Sequence, residues 1–586
     1  MKIILTTLNS KFIHSNLAIR YLKEYVRDIE PVEVLEFTIN QTIDSISSEI
    51  YKRSPDIVGF STYIWNIEET LEICQILKLV SPKTKILLGG PEVSFDGADL
   101  LEQNPFIDYI IFGEGEEAFS ELVRAVSLED IKGLIYRDCE DVIQINSPRV
   151  LIQDLDIIPS PYENIGDEFQ NKIVYYESSR GCPFNCEFCL SSTIKGVRYF
   201  SLDRVKNDIS RLIQGGVSQV KFVDRTFNAN KKYSMEIMNY IMNLNPEDIN
   251  FHFEVTAHLI DDETLEFLKK PKEGLFQFEV GVQSTNKETV KAIGRITDFN
   301  RLKDVTSRIK SNKNIHQHLD LIAGLPFESY ESFKKSFNDV YSIRSEKIQL
   351  GFLKLLKGSG LRINGNKYGY KYLDKPPYEV LENDFISYGE INRLKTIENL
   401  VDKYYNEGYF NHSVEFIICN FYKNPFDFYE NFSDYWEVNQ LDKVSHSRNG
   451  LYQIILDFYI ANEYIFEDEF KELLKYDYIA NNKKLTLPNG INRSEYNISN
   501  IELHEVLKNK NLISTYLKDY ENVPTKKLIN KVLIESFSID IFELINNKYK
   551  PVNNYKIIFI LFDYKDRQIN RCITSDVTEF VEELIK

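Results

Sequence analysis

The 586-residue chain is predicted to be an α/β protein in three parts: a doubly wound, Rossmann-like N-terminal domain, a partial (β/α)6 barrel of TIM type, and a mostly helical C-terminal domain. Three observations carry this prediction. Short apolar runs alternate with longer amphipathic ones up to about residue 125, six strand-helix units recur from residue 173 to about residue 356, and helical periodicity takes over after Gly360. The expected domains are residues 1–130, a connector at 131–170, residues 171–361 and residues 362–586. A chain of this length exceeds what one hydrophobic core organises.

In the first block, strand-like runs at residues 3–6, 32–37, 57–61, 86–88 and 109–112 alternate with helix-like runs at 17–27, 43–51 and 67–79. Such alternation calls for right-handed crossovers and a parallel sheet covered on both faces. Ligands bind these sheets at the carboxyl ends of the strands. Polar and glycine residues collect there: Asn9 after the first strand, then Thr62, Tyr63 and Trp65, then Gly89, Gly90, Pro91 and Glu92, then Gly113, Glu114, Gly115 and Glu116. Glycine permits close backbone approach to a bulky ligand, and Tyr63 and Trp65 offer an apolar floor. Ordinary turn chemistry also places glycine at strand ends. In the connector, a hairpin is expected at 131–137 and 142–145, followed by the proline-marked run Ile158-Pro-Ser-Pro-Tyr162 of a domain boundary.

The barrel strands are expected at residues 173–176, 220–223, 251–255, 276–280, 318–322 and 348–353. Parallel barrels draw functional residues from the carboxyl-terminal strand ends, where loops vary while strands stay rigid. Those ends hold Asp224 and Thr226, then Glu254, then Glu279 and Gln283, then Asp320 and Gly324. The C-terminal third is rich in Phe, Tyr, Asn and Lys, with an amphipathic helix at 391–405 and a mixed terminal portion near 557–562 and 573. The aromatic run at 426–436 reads as core, with a substrate-pocket lining as the alternative.

The most informative segment is Ser178-Ser-Arg-Gly-Cys182-Pro-Phe-Asn-Cys186-Glu-Phe-Cys189, with three cysteines and no obvious fourth. A cluster that only carries electrons is normally closed by four cysteines, so CxxxCxxC spacing leaves one iron open. Structural zinc, a ferredoxin-like cluster and plain core filling are the competing readings. Arg180-Gly181 precedes the first cysteine, where wrapping a cluster needs tight backbone curvature. The other four cysteines, Cys74, Cys139, Cys419 and Cys572, are scattered and make no disulfide framework, which implies a reducing compartment.

Composition narrows the partners. A net charge of −18 disfavours general affinity for nucleic acid, which needs basic surface against the phosphates. No apolar run approaches the roughly 20 residues that span a bilayer, and the N-terminus carries no signal-peptide pattern, so a cytoplasmic location is expected.

The cysteine segment resembles the signature of the radical S-adenosylmethionine superfamily. The block before it, on its Gly89-Gly90-Pro91 and Gly113-Glu114-Gly115-Glu116 turns, is similar to the cobalamin-binding domain of one large class of those enzymes. The resemblance runs from Met1 to Leu361, and C-terminal extensions comparable to the remainder occur in a subgroup of this class. It implies a 4Fe-4S cluster on Cys182, Cys186 and Cys189, with S-adenosylmethionine at the open iron and Phe188 among the cofactor contacts. Asp224 and Thr226 are then candidates for its amino group through charge-assisted hydrogen bonds. Glu254 joins them as a cofactor contact, and Glu279-Val-Gly-Val-Gln283-Ser284 resembles a GVQS element in which a polar side chain at the position of Glu279 contacts the ribose. Arg295 is a candidate bidentate clamp on the methionine carboxylate, with an exposed helix-end arginine as the alternative. Asp320-Leu-Ile-Ala-Gly324-Leu-Pro326 is similar to the GxIxGxP adenine element, with Asp320 in the place of the first glycine.

Cobalamin domains that ligate cobalt from below do so through the histidine of a DxHxxG motif, which is missing here. His14 is the one histidine among the first 250 residues and lies in the first strand-to-helix loop. The expectation is cobalamin held without a protein ligand to cobalt, with His14 as the alternative. The activity implied is reductive cleavage of S-adenosylmethionine to a 5'-deoxyadenosyl radical, followed by methylation of an unactivated carbon. A cobalamin-dependent cyclase or rearrangement enzyme without methyl transfer is the first alternative, and a non-catalytic iron-sulfur redox or sensing protein the second. The partners expected are a small-molecule or peptide substrate and a reductant such as a flavodoxin or ferredoxin.

Overall fold

The computed structural model describes every residue except 164, 484–485, 494–495, 497, 552–555, 565–571 and 586. It divides into two compact units. The first comprises residues 1–336, 343–345 and 350–391, and the second residues 337–342, 346–349 and 392–586.

The first unit begins with strands β1 (Ile3–Asn9), β2 (Val32–Thr38), β3 (Ile57–Ser61), β4 (Lys85–Gly89) and β5 (Tyr109–Ile111). Interleaved with them are helices α1 (Leu17–Tyr25), α2 (Ile43–Tyr51), α3 (Ile67–Val80) and α4 (Gly97–Gln103), and α5 (Glu116–Val123) follows β5. The strand order is β2-β1-β3-β4-β5, all parallel, so the topological switch point lies between β1 and β3. Strand alternation divides the core. Ile4 and Leu8 face Ile46, Ile73 and Leu101 of α2, α3 and α4, while Ile3 and Leu5 face Ile19 and Phe119 of α1 and α5. Both faces are therefore buried, as a parallel sheet requires. The connector hairpin, β6 (Leu134–Arg137) and β7 (Ile143–Ile145), continues this same sheet antiparallel to β5. It forms part of the N-terminal domain because its pairing with β5 covers an edge otherwise left open.

A second sheet is built from β8 (Ile173–Tyr176), then, after the short hairpin β9 (Ser179–Cys182) and β10 (Gly196–Tyr199), from β11 (Gln219–Phe222), β12 (Asn250–Glu254), β13 (Phe276–Gln283), β14 (Ile315–Ala323) and β15 (Lys347–Phe352). Their order, β15-β14-β13-β12-β11-β8, is that of an unclosed barrel. The β8 edge is covered by the loop after β1: His14 bridges Ile173, whose N–H donates to the Ile13 carbonyl at 2.7 Å. A small two-stranded piece, β16 (Lys371–Tyr372) and β17 (Val380–Glu382), follows the barrel.

The second unit is mostly helical among its described residues, with helices Asn411–Phe421, Pro425–Val438, Arg448–Ala461 and Glu467–Asn481 packed through aromatic side chains. Phe426, Phe428, Tyr429 and Phe432 are fully buried, so the aromatic run at 426–436 is core. Strands β18 (Val532–Phe537), β19 (Ile558–Asp563) and β20 (Ile573–Asp576) form an antiparallel sheet. No helix among the described residues is long and apolar enough to cross a membrane.

Candidate active site

The cysteine segment leaves β9 as a loop fixed at several points. β9 pairs with β10 so that Cys182 lies opposite Gly196 and Arg180 opposite Arg198. Gly181 has φ +100°, and a Cβ there would stand 2.1 Å from the Gly196 carbonyl oxygen, so only glycine closes this hairpin. Further along, Glu187 N–H donates to Ile293 O at 3.0 Å, and Glu187 O accepts from Leu361 N–H at 2.8 Å. Cys182, Cys186 and Cys189 are all half-buried, whereas Cys74 is buried and Cys139 exposed. Burial raises the pKa of Cys186, Arg295 beside it opposes the shift, and Cys189 and Cys182 add to it. Among the described residues no three ligating side chains already converge on one point. The donor set still fits a cluster held by three thiolates, being grouped, half-shielded and next to a cation.

Asp224 does not present a free carboxylate at the barrel mouth. It is buried and accepts from Ser178 N–H at 3.0 Å, Ser178 Oγ at 2.7 Å and Ser179 Oγ. Burial raises its pKa and these serines oppose the shift. Its carboxylate thus holds the root of the cysteine hairpin, where contact with an amino group was expected. Thr226 sits closer to the chemistry, its Oγ1 3.6 Å from Cys182 Sγ.

The inward face of the barrel is polar where such lumens are usually filled by branched apolar side chains. Tyr175, Lys221, His252, Glu254, Gln277, Glu279, His316, His318 and Asp320 occupy alternating, half-exposed or polar-buried positions along β8 and β11 to β14. Glu279 pairs with Lys221 Nζ at 3.0 Å and His252 Nε2 at 3.0 Å. Burial works against its ionisation, yet His252 and Lys221 outweigh burial and hold its pKa at about 2. This partnership, which motif reading missed, engages the carboxylate expected at the ribose. Glu254 is pushed up to about 7 by burial and by Glu279. Asp320 is raised well above the carboxylate range, first by burial and then by Glu279 and Glu254. Among the described residues, Asp320 Oδ1 and Gln283 Oε1 are buried acceptors without a hydrogen-bond partner. Gln283 adopts φ +69° beside the register shift between β13 and β14. Two orphaned acceptors at the mouth fit a donor-bearing ligand such as a nucleoside, since leaving them bare costs about 1–3 kcal/mol each. Arg295 donates to Gly281 O at 2.6 Å and lies by Cys186. Gly324 (φ +89°) has its carbonyl fixed by Asn383 Nδ2 at 2.8 Å. Phe188 is half-buried within the cysteine loop, and Phe184 packs edge-on against His258 with ring centres 5.7 Å apart.

At the carboxyl edge of the N-terminal sheet, Tyr63 and Trp65 stack with ring centres 4.3 Å apart and planes 5° apart, and Trp65 stays 43% exposed. Trp65 Nε1 donates to Leu8 O at 3.2 Å, and the buried Asn66 donates to Leu8 O and Ser61 O, tying the ends of β1 and β3. Thr62 N–H and Oγ1 both donate to Gly89 O. Gly90 (φ +114°) would bring a Cβ within 2.5 Å of Thr62 O, while Gly113 (φ +80°) has open space around it. An exposed aromatic platform flanked by glycines fits a large, flat ligand. Pro91 is exposed at this edge. Asn9 is buried and donates to His14 O at 3.0 Å. His14 Nδ1 lies 2.8 Å from Tyr175 OH on the first barrel strand, so one ring nitrogen is engaged by the barrel.

The acidic residues of this edge, expected among the ligand contacts, are engaged by cations and a phenol of the same unit. Glu92 accepts from Tyr378 OH and pairs with Lys357 at 3.2 Å. Glu114 takes Arg198 through two bonds of 2.6 and 3.1 Å, accepts from Ile152 N–H and faces Arg180 at 3.4 Å. Glu116 pairs with Arg180 at 2.6 Å, and Glu177 completes the set at 3.0 Å. Glu114 and Glu116 fasten the sheet edge to the barrel because the arginines of the cysteine hairpin draw them in, and Glu92 does so through Lys357 and Tyr378. Of these arginines only Arg180 stood out in the sequence, and there for its backbone.

Comparison with known proteins agrees with this arrangement. Residues 3–123 match the B12 binding domain, residues 176–340 the Radical SAM superfamily, and residues 366–562 a protein of unknown function, DUF4080. The uncharacterized methyltransferase PH0819 of Pyrococcus horikoshii is 30% identical over 331 residues, covering 54% of this chain and 70% of that protein. The cobalamin-dependent radical SAM methyltransferase TokK of Streptomyces tokunonensis is 26% identical over 306 residues, 48% of this chain and 44% of TokK, so the chain spans less than half of that relative. The cobalamin-dependent S-adenosylmethionine radical enzyme OxsB, solved with aqua-cobalamin bound, shares the fold with a TM-score of 0.59 at 15% identity, over 89% of this chain and 84% of that one. With its tandem domains and three-cysteine loop, the chain belongs to the cobalamin-binding radical S-adenosylmethionine enzymes, whose cofactors are a 4Fe-4S cluster, S-adenosylmethionine and cobalamin.

Proposed function

We propose that the protein transfers a methyl group to an unactivated carbon of a small-molecule or peptide substrate. The observation that carries this reading is the fastening of the glycine-rich sheet edge, through Glu92, Glu114 and Glu116, onto the barrel that bears the cysteine loop. Bound together, the cofactors supply a 5'-deoxyadenosyl radical by reductive cleavage of S-adenosylmethionine and a methyl group to transfer. Cys182, Cys186 and Cys189 are the cluster ligands, and Thr226 touches the first of them. Arg295 takes the methionine carboxylate, a role supported by its position next to Cys186. Gln283 and Asp320 provide acceptors for hydroxyl or amine donors, and Glu254, kept largely neutral below about pH 7, adds a further polar contact. Tyr63 and Trp65 floor the cobalamin, the open space at Gly113 allows its close approach, and Gly90 keeps the platform packed on the Thr62 backbone. The polar lumen offers fixed dipoles and charges to a polar substrate. A flavodoxin-like or ferredoxin-like protein supplies the electron.

Two relatives named as methyltransferases support methyl transfer over rearrangement. Anaerobically reconstituted protein should show cluster and corrinoid absorption together and release 5'-deoxyadenosine when given reductant and S-adenosylmethionine. Isotope-labelled S-adenosylmethionine follows the methyl group. A Cys186→Ala variant that still releases 5'-deoxyadenosine sinks the proposal.

A further inference from the structure

Arg180 stands where the two predicted ligand edges meet. Its guanidinium reaches Glu116 at 2.6 Å and Glu114 at 3.4 Å on the turn between β5 and α5, and Glu177 at 3.0 Å at the end of β8, with Tyr21 beneath it at 5.6 Å. Directly across the hairpin, Arg198 holds Glu114 through two bonds. The side chains of Arg180, Glu114, Glu116 and Glu177 are at most 17% exposed, so solvent screens these ion pairs weakly. The path from one edge to the other is short and stiff. Gly113 and Gly115 frame Glu114, the carboxylates grip Arg180, Gly181 has no room to adjust against Gly196, and Cys182 follows. A fork that grips three carboxylates at once needs the planar guanidinium, which an ammonium cannot replace.

We infer that Arg180 is a positioning residue that makes the two cofactor sites interdependent, so that a corrinoid seated against the Gly113–Glu116 turn alters the cluster held by Cys182, and the reverse. This rests on the function proposed above. Removing the guanidinium leaves Glu114, Glu116 and Glu177 facing one another and breaks the ties to Glu116 and Glu177, so the turn is held to the hairpin through the Arg198–Glu114 pair.

Coupling between sites is reciprocal and measurable as a ratio of affinities. Hydroxocobalamin is titrated by absorbance into the full-length protein with and without its reconstituted cluster, and the cluster's electron paramagnetic resonance spectrum and midpoint potential are recorded with and without cobalamin. In the wild type the cluster should change cobalamin affinity roughly 5-fold or more, and cobalamin should shift the cluster signal. Arg180→Gln should bring the ratio toward 1 and reduce the shift, Arg180→Lys should be intermediate, and Arg180→Gln combined with Arg198→Gln should bring the ratio to about 1. Arg204→Gln, which breaks the 2.7 Å pair with Asp208 inside the barrel's helix Leu202–Gln214, serves as a destabilised control and should keep the ratio. Coupling that is undiminished in Arg180→Gln, or that is lost equally in Arg204→Gln, overturns the inference. Wild-type protein that binds both cofactors independently overturns it alone, whereas wild-type protein that takes up no cobalamin overturns the proposed function and the inference with it.

Discussion

Lys221 and Glu279 meet at 3.0 Å inside the barrel, from strands separated by β12, and His252 on that intervening strand joins the same carboxylate oxygen. This pairing sets the charge state of the lumen. With Glu279 held ionised, its neighbours Glu254 and Asp320 are driven toward the neutral form.

A pH dependence of stability follows. Glu254 has a folded pKa of about 7, above its ordinary value of 4.5, owing to burial and Glu279 and despite Arg225 and Lys221. The folded state therefore holds a proton that the unfolded chain has lost between those values. Its favourable contribution is complete below about pH 4.5 and disappears as pH rises through about 7. Glu177, also raised to about 7 by burial, acts in the same direction. Glu254→Gln should flatten part of the loss between about pH 4.5 and 8 and stabilise the protein by roughly 1–3 kcal/mol at pH 8. Denaturant unfolding at the two pH values measures it. An unchanged pH slope in the variant contradicts the assignment.

Glu279 should behave oppositely. Its folded pKa of about 2 lies below 4.5, so its stabilisation is present above about pH 4.5 and fades as pH falls toward 2. Glu279→Gln leaves Lys221 without its ion-pair partner and should cost about 1–3 kcal/mol at neutral pH, discounted for the partial exposure of both groups. Unfolding curves of Glu279→Gln alone and combined with Lys221→Met separate the lost pair from the stranded charge.

Two glycine substitutions should divide the cofactor sites. Gly181→Ala places a Cβ 2.1 Å from Gly196 O, and Gly90→Ala places one 2.5 Å from Thr62 O, both at positive φ. Each clash with backbone should cost on the order of 2 kcal/mol or more locally. Iron content after anaerobic reconstitution should fall most in Gly181→Ala and corrinoid content most in Gly90→Ala, with a smaller change at the other site in each through the coupling at Arg180. Loss of both cofactors in both variants argues against separate sites.

His14→Ala tests how cobalt is held. His14 is engaged with Tyr175 and its pKa is lowered by burial and by Lys11 and Lys221. The electron paramagnetic resonance spectrum of cob(II)alamin in the wild type should lack nitrogen splitting from a protein ligand and should be unchanged in His14→Ala. Splitting that vanishes in the variant establishes His14 as the ligand.

Asp224→Asn should weaken the root of the cysteine hairpin, because an amide replaces one acceptor of the Ser178 and Ser179 donors with a donor. A stability loss of about 1–3 kcal/mol and lower iron content are expected, with Ser178→Ala reproducing part of the effect.

The amino-acid sequence by itself determined the order of strands and helices, the three-cysteine loop and the glycine-marked strand ends. Each of these is local, since periodicity, spacing and turn chemistry act over a few residues. Only the tertiary structure decided which side chains face a ligand and which face one another. Glu92, Glu114, Glu116 and Asp224 all read as ligand contacts at strand ends, yet Tyr378, Lys357, Arg198, Arg180 and the two serines claim them from up to 286 residues away. A buried carboxylate takes whichever donor or cation the fold brings within reach, and that partner leaves no local signature in the chain.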